Sequence, residues 1–389
     1  MPSETPLSRA RVLLVHEWLY TWAGAERCLE ELVTIVPQAD VLVGVVTPRM
    51  RARHAIARRA VETWVGRVPG ARMHHRWFLP LHAAAFRFFD ASRYDLVISV
   101  SHAFEKLIRA QSGRHLCYCL SPPRYLWDLH GTYARHASLP ERVALRAATF
   151  PLRAIDRIGA AGVDRFVCIS QAVAGRVRRA YGRESDVVYP PVSPKASATT
   201  GHRERFLLSL GRLVAYKRVD LAIAAAERLR MRLVVAGDGP ERARLERLAG
   251  THTEFVGDVS ENEAGRLLSR CSAFVFCGEE DFGITPLEAH AHGAPVVAYA
   301  RGGVAETMEH GANAIFFDRQ SEDAVVQAIE QCLKQTWDAN LLKRNAARFS
   351  PENFREGMRR IILEMLEEDR SAPNARSETE AKRDSALHR

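Results

Sequence analysis

The 389-residue chain is expected to fold as an α/β protein, with two doubly wound parallel-sheet domains facing a cleft. Three observations carry this expectation. Short apolar runs alternate with helix-length amphipathic stretches up to about residue 189; a Pro-, Ser- and Thr-rich segment, PPVSPKASATTGHR, interrupts them; and the alternation restarts at residue 206. Strands separated by helices pair in parallel and are covered on both faces. The length suits two domains, each able to bury its own core.

In the first series, Arg11–His16 reads as a buried strand, Ala25–Val36 as a helix and Val41–Val46 as a second strand. Leu96–Val100, Leu116–Leu120 and Phe166–Ile169 follow as strands, and Ser170 sits where a helix N-cap belongs. In the second series the strands are Phe206–Leu210, Arg232–Ala236, Glu254–Val256, Ala273–Phe276 and Val296–Tyr299. The helices start near Lys217 and Pro240, span Glu261–Arg270 and Thr285–His292, and resume at Val304. The expected boundaries are residues 1–188 for the first domain, 189–204 for a linker and 205–350 for the second domain. A helix at 351–370 packs back on the first domain, and 371–389 forms a disordered tail.

Composition narrows the class. With 47% hydrophobic and 26% charged residues, the chain resembles a soluble enzyme. No apolar run approaches the roughly 18 residues of a membrane span, and VLLV at Val12–Val15 is too short for a signal peptide. Seven irregularly spaced cysteines argue for a reducing compartment, hence a cytoplasmic protein. Cys117 and Cys119 alternate within LCYCL as strand residues, and no second Cys/His pair accompanies them, so neither a metal site nor a cofactor is expected. Net charge is +9 and uneven: Glu141 to Arg183 holds nine arginines against three acids, and Arg49 to Arg59 five arginines and no acid. Such clusters are either solvated helix faces or sites of attraction to a polyanion. Nucleic acid is disfavoured, because the clusters lack interleaved aromatics and a recognisable binding motif. An anionic membrane surface remains a possible partner.

In open parallel sheets, ligands bind beyond the carboxyl ends of the strands. Three loops there carry chemistry. In GRLVAYKRVD, Gly211 allows a tight exit from the strand, and Arg212 and Lys217 flank a helix start. Two cations are unhelpful there unless an anion such as a diphosphate occupies the place. GDGPER at Gly237–Arg242 reads as turn chemistry, since G-x-G-x-x-G does not close. In EEDFGITPLEA, Thr285, Pro286 and Glu288 read as N-cap, N1 and N3 of a capping box. Glu280 and the approach Phe282–Gly283–Ile284 are not explained by capping. A ligand lying across that helix terminus could be held by both carboxylates through its hydroxyls. No D-x-D pair supports a metal there. Arg301-Gly302-Gly303 is a further candidate anion turn.

GRLVAYKRVD, AGDGPER and EEDFGITPLEAHAHGAPVVAYARGGVAETM, within residues 206–310, resemble the donor-binding half of glycosyltransferase family 4. The most specific element is the pair Glu280 and Glu288 with seven residues between. The resemblance implies the GT-B architecture of two Rossmann-like domains, the first for acceptor and the second for a nucleotide diphosphate sugar, and reaction with retention. It implies that Arg212 and Lys217 bind the diphosphate beside Gly211. Glu280 would bind sugar hydroxyls, Glu288 the ribose, and the stretch Phe282, Gly283, Ile284 and Thr285 the sugar and phosphates. HEWLYTWAGAERCLEEL resembles the family's Gly-Gly-Ala-Glu loop, with Ala23 in place of the first glycine and Gly24 as the second. His102 in SVSHAF matches the family's histidine near the donor sugar, which with Arg212, Lys217 and Glu280 completes the catalytic set. SPPRYLWDLH (Ser121–His130) resembles bacterial O-antigen and exopolysaccharide mannosyltransferases, which implies GDP-mannose as the favoured donor and a glycan or polyprenyl-linked acceptor. Peripheral attachment to the inner face of the plasma membrane then fits. Alternatives are a UDP-sugar donor, an epimerase or phosphorylase on the same architecture, a dehydrogenase, or a non-catalytic nucleotide-sugar-binding partner.

Overall fold

The computed structural model describes residues 6–128, 139–193 and 203–371. The middle of the expected linker (194–202), the expected tail from 372, and the end of SPPRYLWDLH from Leu129 lie outside the described residues. The chain divides into two compact units. One is built on the residues up to Cys168 with Val177–Val188 and the chain from Arg355; the other on Ile169–Arg176 and Tyr189–Phe354.

The first unit holds a seven-stranded sheet made of β1 (Val12–Leu19), β2 (Asp40–Val46), β3 (Val61–Glu62), β4 (Leu96–Ser101), β5 (Arg114–Cys119), β6 (Arg165–Cys168) and β7 (Asp186–Val187). Their order is β3-β2-β1-β4-β5-β6-β7 and every pairing is parallel. β4 is buried along its whole length and β5 beyond its first residue, which is why both read as near-continuous apolar runs. Strand β1 runs three residues beyond the expected end at His16, because Trp18 and Leu19 continue the pairing with Val45 and Val46 of β2. All seven cysteines are buried free thiols. The helix Gly24–Ile35 follows β1 and buries Cys28, Leu29, Leu32 and Ile35. From Arg355 on, the helix Pro351–Ser371 is part of the first unit, where Arg355 pairs with Glu31 and Glu364 with Arg165.

The second unit repeats the plan with β8 (Leu207–Leu210), β9 (Leu233–Ala236), β10 (Thr253–Gly257), β11 (Ala273–Phe276), β12 (Val296–Tyr299) and β13 (Ala314–Phe317). The order is β10-β9-β8-β11-β12-β13, again parallel. One side of this sheet packs against the helices Val219–Leu229 and Glu322–Lys334 through Leu207, Val235, Val275, Val297, Ile315, Ile223 and Ile329. Two doubly wound parallel sheets agree with the expected fold class.

Candidate active site

Each sheet has one place where strand order reverses, between β1 and β4 in the first unit and between β8 and β11 in the second. Helices leave in opposite directions on either side of such a point, which opens a crevice at the strand ends. The chemistry-bearing residues gather at both.

In the first unit, His16 and Glu17 stand near the end of β1 and His102 directly after β4. His102 is clamped by two carboxylates: its Nε2 lies 2.8 Å from Glu17 Oε2 and its Nδ1 3.4 Å from Glu105 Oε1. Both carboxylates are 0% exposed, whereas the imidazole is 38% exposed. Burial works against a charged His102, but the Glu17 charge and the bonds to both carboxylates outweigh it and raise its pKa well above the usual value. Burial likewise works to raise Glu105, yet the His102 bond and charge hold it down at about 2. Glu17 loses that contest: burial first, and the nearby Glu105, push it up to about 7. The site therefore presents an imidazolium fixed from behind by two buried acids, one of which titrates near neutrality. Glu17, His102 and Glu105 are also the group among the described residues whose metal-ligating atoms come within 4.8 Å of one another. Both ring nitrogens are already engaged by the carboxylates, so the cluster is an internal ion pair and not an open ligand set.

Two features fix this arrangement. Glu105 also accepts from Ser101 Oγ at 3.2 Å and from the Ala103 amide at 3.0 Å, which closes the loop after β4. Buried Lys106 donates to the Ala103 carbonyl at 2.5 Å and lies 2.5 Å from Asp156, which also accepts from Trp127 and Tyr181. Ala23, exposed before the helix Gly24–Ile35, has extended backbone (φ −133), so an alanine there is unstrained. Its amide donates to Glu26 at 2.9 Å.

In the second unit Lys217 and Glu280 meet, Nζ to Oε1 at 2.8 Å, with both side chains largely buried. Gly211 turns the chain out of β8 with φ 138, and a Cβ there would lie 2.6 Å from the Lys217 ammonium. Lys217 does not open the following helix as expected. It ends a 3-10 turn, Ala215–Lys217, and left-handed Arg218 separates it from the helix Val219–Leu229. Similarly, Pro240 lies in a turn before the helix Arg242–Leu248. Arg212 is exposed and has no hydrogen bond or ion pair to another described residue. The structure thus pairs Lys217 with Glu280 and leaves Arg212 outside that pair.

The expected capping box at Thr285 is corrected. The helix is Ile284–Ala291 and its N-cap is Gly283, in the left-handed region at φ 91. Thr285 therefore lies inside the first turn with Pro286 one residue later, and Glu288 is two residues beyond the N3 position that a capping box needs. The Thr285 hydroxyl is shielded from solvent and bonds to no described residue. With capping removed, half-buried Glu288 needs another explanation. Phe282 is buried in an aromatic group with Tyr189 and Phe349, so its side chain packs and only its backbone serves the loop.

Residues that sequence reasoning did not assign hold this loop. Ser170 caps its helix as expected, accepting from the Val173 amide at 3.1 Å, and donates to the Asp281 carbonyl at 2.5 Å. Buried Arg176 pairs with Asp281 and lies 3.4 Å from Glu279. Glu306 accepts from the amides of Gln171 and Ala172, at 2.7 and 3.1 Å, and from Tyr189. Arg176 belongs to the basic cluster counted from the sequence, and much of that cluster is similarly engaged. Arg165 pairs with Asp186, Arg178 with Glu184, and Arg153, Arg157 and Arg183 donate to backbone carbonyls. These cations stabilise the protein's own structure more than they offer a polyanion surface.

The chain is similar to proteins already known. Residues 22–196 match the family described as Glycosyltransferase Family 4, and residues 194–349 match Glycosyl transferases group 1. A GDP-mannose-dependent alpha-(1-6)-phosphatidylinositol monomannoside mannosyltransferase of Mycobacterium tuberculosis is 29% identical over 204 residues, 44% of this chain and 53% of the relative. An alpha-1,3/1,6-mannosyltransferase of Homo sapiens is 28% identical over 221 residues, 47% of this chain and 53% of the relative. The crystal structure of HepE from Anabaena in complex with UDP-glucose superposes with a TM-score of 0.67 at 18% identity, covering 90% of this chain and 99% of that one. The chain spans about half the length of the curated relatives it matches. Two consecutive family matches and the shared two-domain GT-B fold place the chain in family 4 of the glycosyltransferases.

Proposed function

We propose that the protein transfers a hexosyl residue, with retention, from a nucleotide diphosphate sugar to a glycan or polyprenyl-linked acceptor in cell-surface polysaccharide synthesis. The observation that carries this reading is the Lys217–Glu280 pair at the strand-order reversal of the second sheet, beside the Gly283-capped helix. Breaking the bond from sugar to phosphate leaves negative charge on the diphosphate and positive character on the ring. Lys217, Arg212 and the free amides at the start of Ile284–Ala291 stabilise the first, a preorganised effect worth several kcal/mol. Glu280 accepts from sugar hydroxyls and Glu288 from the ribose. These cations take the electrostatic part that a metal ion plays elsewhere. The leaving phosphate takes the proton from the attacking hydroxyl on the same face. His102, held as an imidazolium with both ring nitrogens turned to Glu17 and Glu105, is suited to balance charge; it is not suited to act as a base.

GDP-mannose is the favoured donor, supported by the M. tuberculosis relative, whose name states that dependence, and by the human mannosyltransferase. The HepE complex with UDP-glucose favours keeping a UDP-sugar as the second reading. Among the described residues no helix is long and apolar enough to cross a membrane, so a lipid-linked acceptor would be met from the surface. The test is a panel of nucleotide sugars with release of nucleotide diphosphate as readout. Release with GDP-mannose and its loss in Lys217→Ala and Glu280→Ala, both still folded, are expected. Turnover near wild type in both variants overturns the site, and nucleotide binding without release overturns the enzyme.

A further inference from the structure

Between Thr63 and Phe89 the sequence has four arginines, three histidines and no acid. This stretch folds as two 3-10 turns, Trp64–Arg67 and His75–Phe78, and the helix Leu79–Arg87, closed over a small core of Val65, Ala71 and Ala85. The helix turns Ala83 and Phe86 into the main core of the first unit. Its other side carries Leu81 and Ala84, three apart on a helical turn of 3.6 residues, and is flanked by Trp77 in the 3-10 turn before it and by Phe88 at its C-cap, which together make one ridge. That ridge faces solvent: Trp77 is 86% and Phe88 84% exposed, and Met73 at 77% and Trp64 at 49% stand on neighbouring turns of the same segment. Exposed single apolar residues are ordinary, but a ridge with two large aromatics almost fully in water marks an interaction surface. Arg67 and Arg72 are exposed in the same segment, and Arg72 ties it down by bonding Glu62 and the Gly66 carbonyl.

We propose that this face docks on an anionic bilayer, with Trp77, Leu81, Phe88 and Met73 entering the headgroup–acyl boundary and the flanking arginines meeting lipid phosphates. Tryptophan and arginine both carry an apolar body with a polar end, which suits that boundary. The charge selects the occupant. Two copies joined through this face by a two-fold axis would set its arginines against their own duplicates with no acid from the segment between them. An anionic lipid surface complements them. The proposal adds to the reading of a lipid-linked acceptor without resting on it, since it concerns no donor and no turnover.

The test is co-sedimentation of the full chain with phosphatidylcholine vesicles, with and without phosphatidylglycerol, at low and high salt. Wild type is expected to bind the phosphatidylglycerol vesicles and to weaken with salt. Trp77→Ser/Phe88→Ser is expected to bind at least about tenfold less while keeping its melting temperature, because both side chains lie outside the packed core. If the double variant folds poorly, quenching of tryptophan fluorescence by brominated acyl chains, compared between wild type and Trp77→Phe, reads the same insertion. Equal vesicle binding by variant and wild type, or no binding by wild type, overturns the proposal. A wild-type dimer that the double variant dissociates assigns the face to a second copy and also overturns it.

Discussion

Gly302→Ala tests whether the loop carrying Glu280 is positioned by backbone contact. Gly302 has φ 73 and bridges to Glu280, and the Gly303 amide donates to the Glu280 carbonyl at 3.0 Å. A Cβ on Gly302 would stand 2.1 Å from that carbonyl, so reaching the 3.4 Å of ordinary contact moves Glu280 by about 1.3 Å. Misplacement of a reacting group by about 1 Å costs roughly a hundredfold in rate, which is about 2.7 kcal/mol of barrier. The same substitution costs about 1 kcal/mol for the left-handed backbone and about 1 kcal/mol for the strained hydrogen bond. Gly311→Ala is the matched control: its φ is 79, and nothing lies within 4 Å of its added Cβ. It pays the backbone strain and leaves Glu280 alone. Measured by nucleotide diphosphate release and thermal unfolding, Gly302→Ala is expected to lose about a hundredfold in kcat/KM. Gly311→Ala should fall in melting temperature with activity within about threefold of wild type. If both variants keep near-wild-type kcat/KM, the loop is not positioned in this way.

Three further outcomes follow from buried charges. His290 donates from Nε2 to the Asn313 carbonyl at 2.9 Å and faces the Asn345 amide at 3.0 Å, and burial lowers its pKa to about 4. Because the folded value is below the unfolded value, its stabilisation is full above pH 6.5 and is lost as pH falls towards 4. The loss is on the order of 3 kcal/mol, and His290→Gln should flatten that limb in melts from pH 7.5 to 4.5. Asp156→Ala leaves buried Lys106 unpaired and should cost about 3–5 kcal/mol in denaturant titration, whereas adding Lys106→Met should recover part of it. Glu17 titrates near 7 beside His102, so the pH profile of kcat/KM should have a limb there that Glu17→Gln removes; an unchanged profile separates Glu17 from the reaction.

Local signals carried most of the fold, and contacts distant in sequence carried the rest. Glu261–Arg270, Ala273–Phe276 and Val296–Tyr299 were readable because a 3.6-residue or continuous apolar pattern fixes each without outside help. The two-residue strands β3 and β7 were not, since nothing so short has a period. At the site, Lys217 and Glu280 were legible as strand-end residues, but the clamp on Glu279 and Asp281 was not. It depends on Ser170 and Arg176, more than a hundred residues away, and an arginine within a basic helix reads the same whether it is solvated or buried. The Thr285 misreading has the opposite cause, because a good local rule was overridden. Thr-Pro-x-Glu suits a capping box, yet Gly283 takes the left-handed cap two residues earlier, with its loop held from Ser170, Arg176 and Gly303. A helix start that discards its best local cap leaves Thr285 with a shielded, unbonded hydroxyl and Glu288 outside any capping role. A local preference given up at the strand-order reversal is the pattern expected where binding and not stability set the sequence.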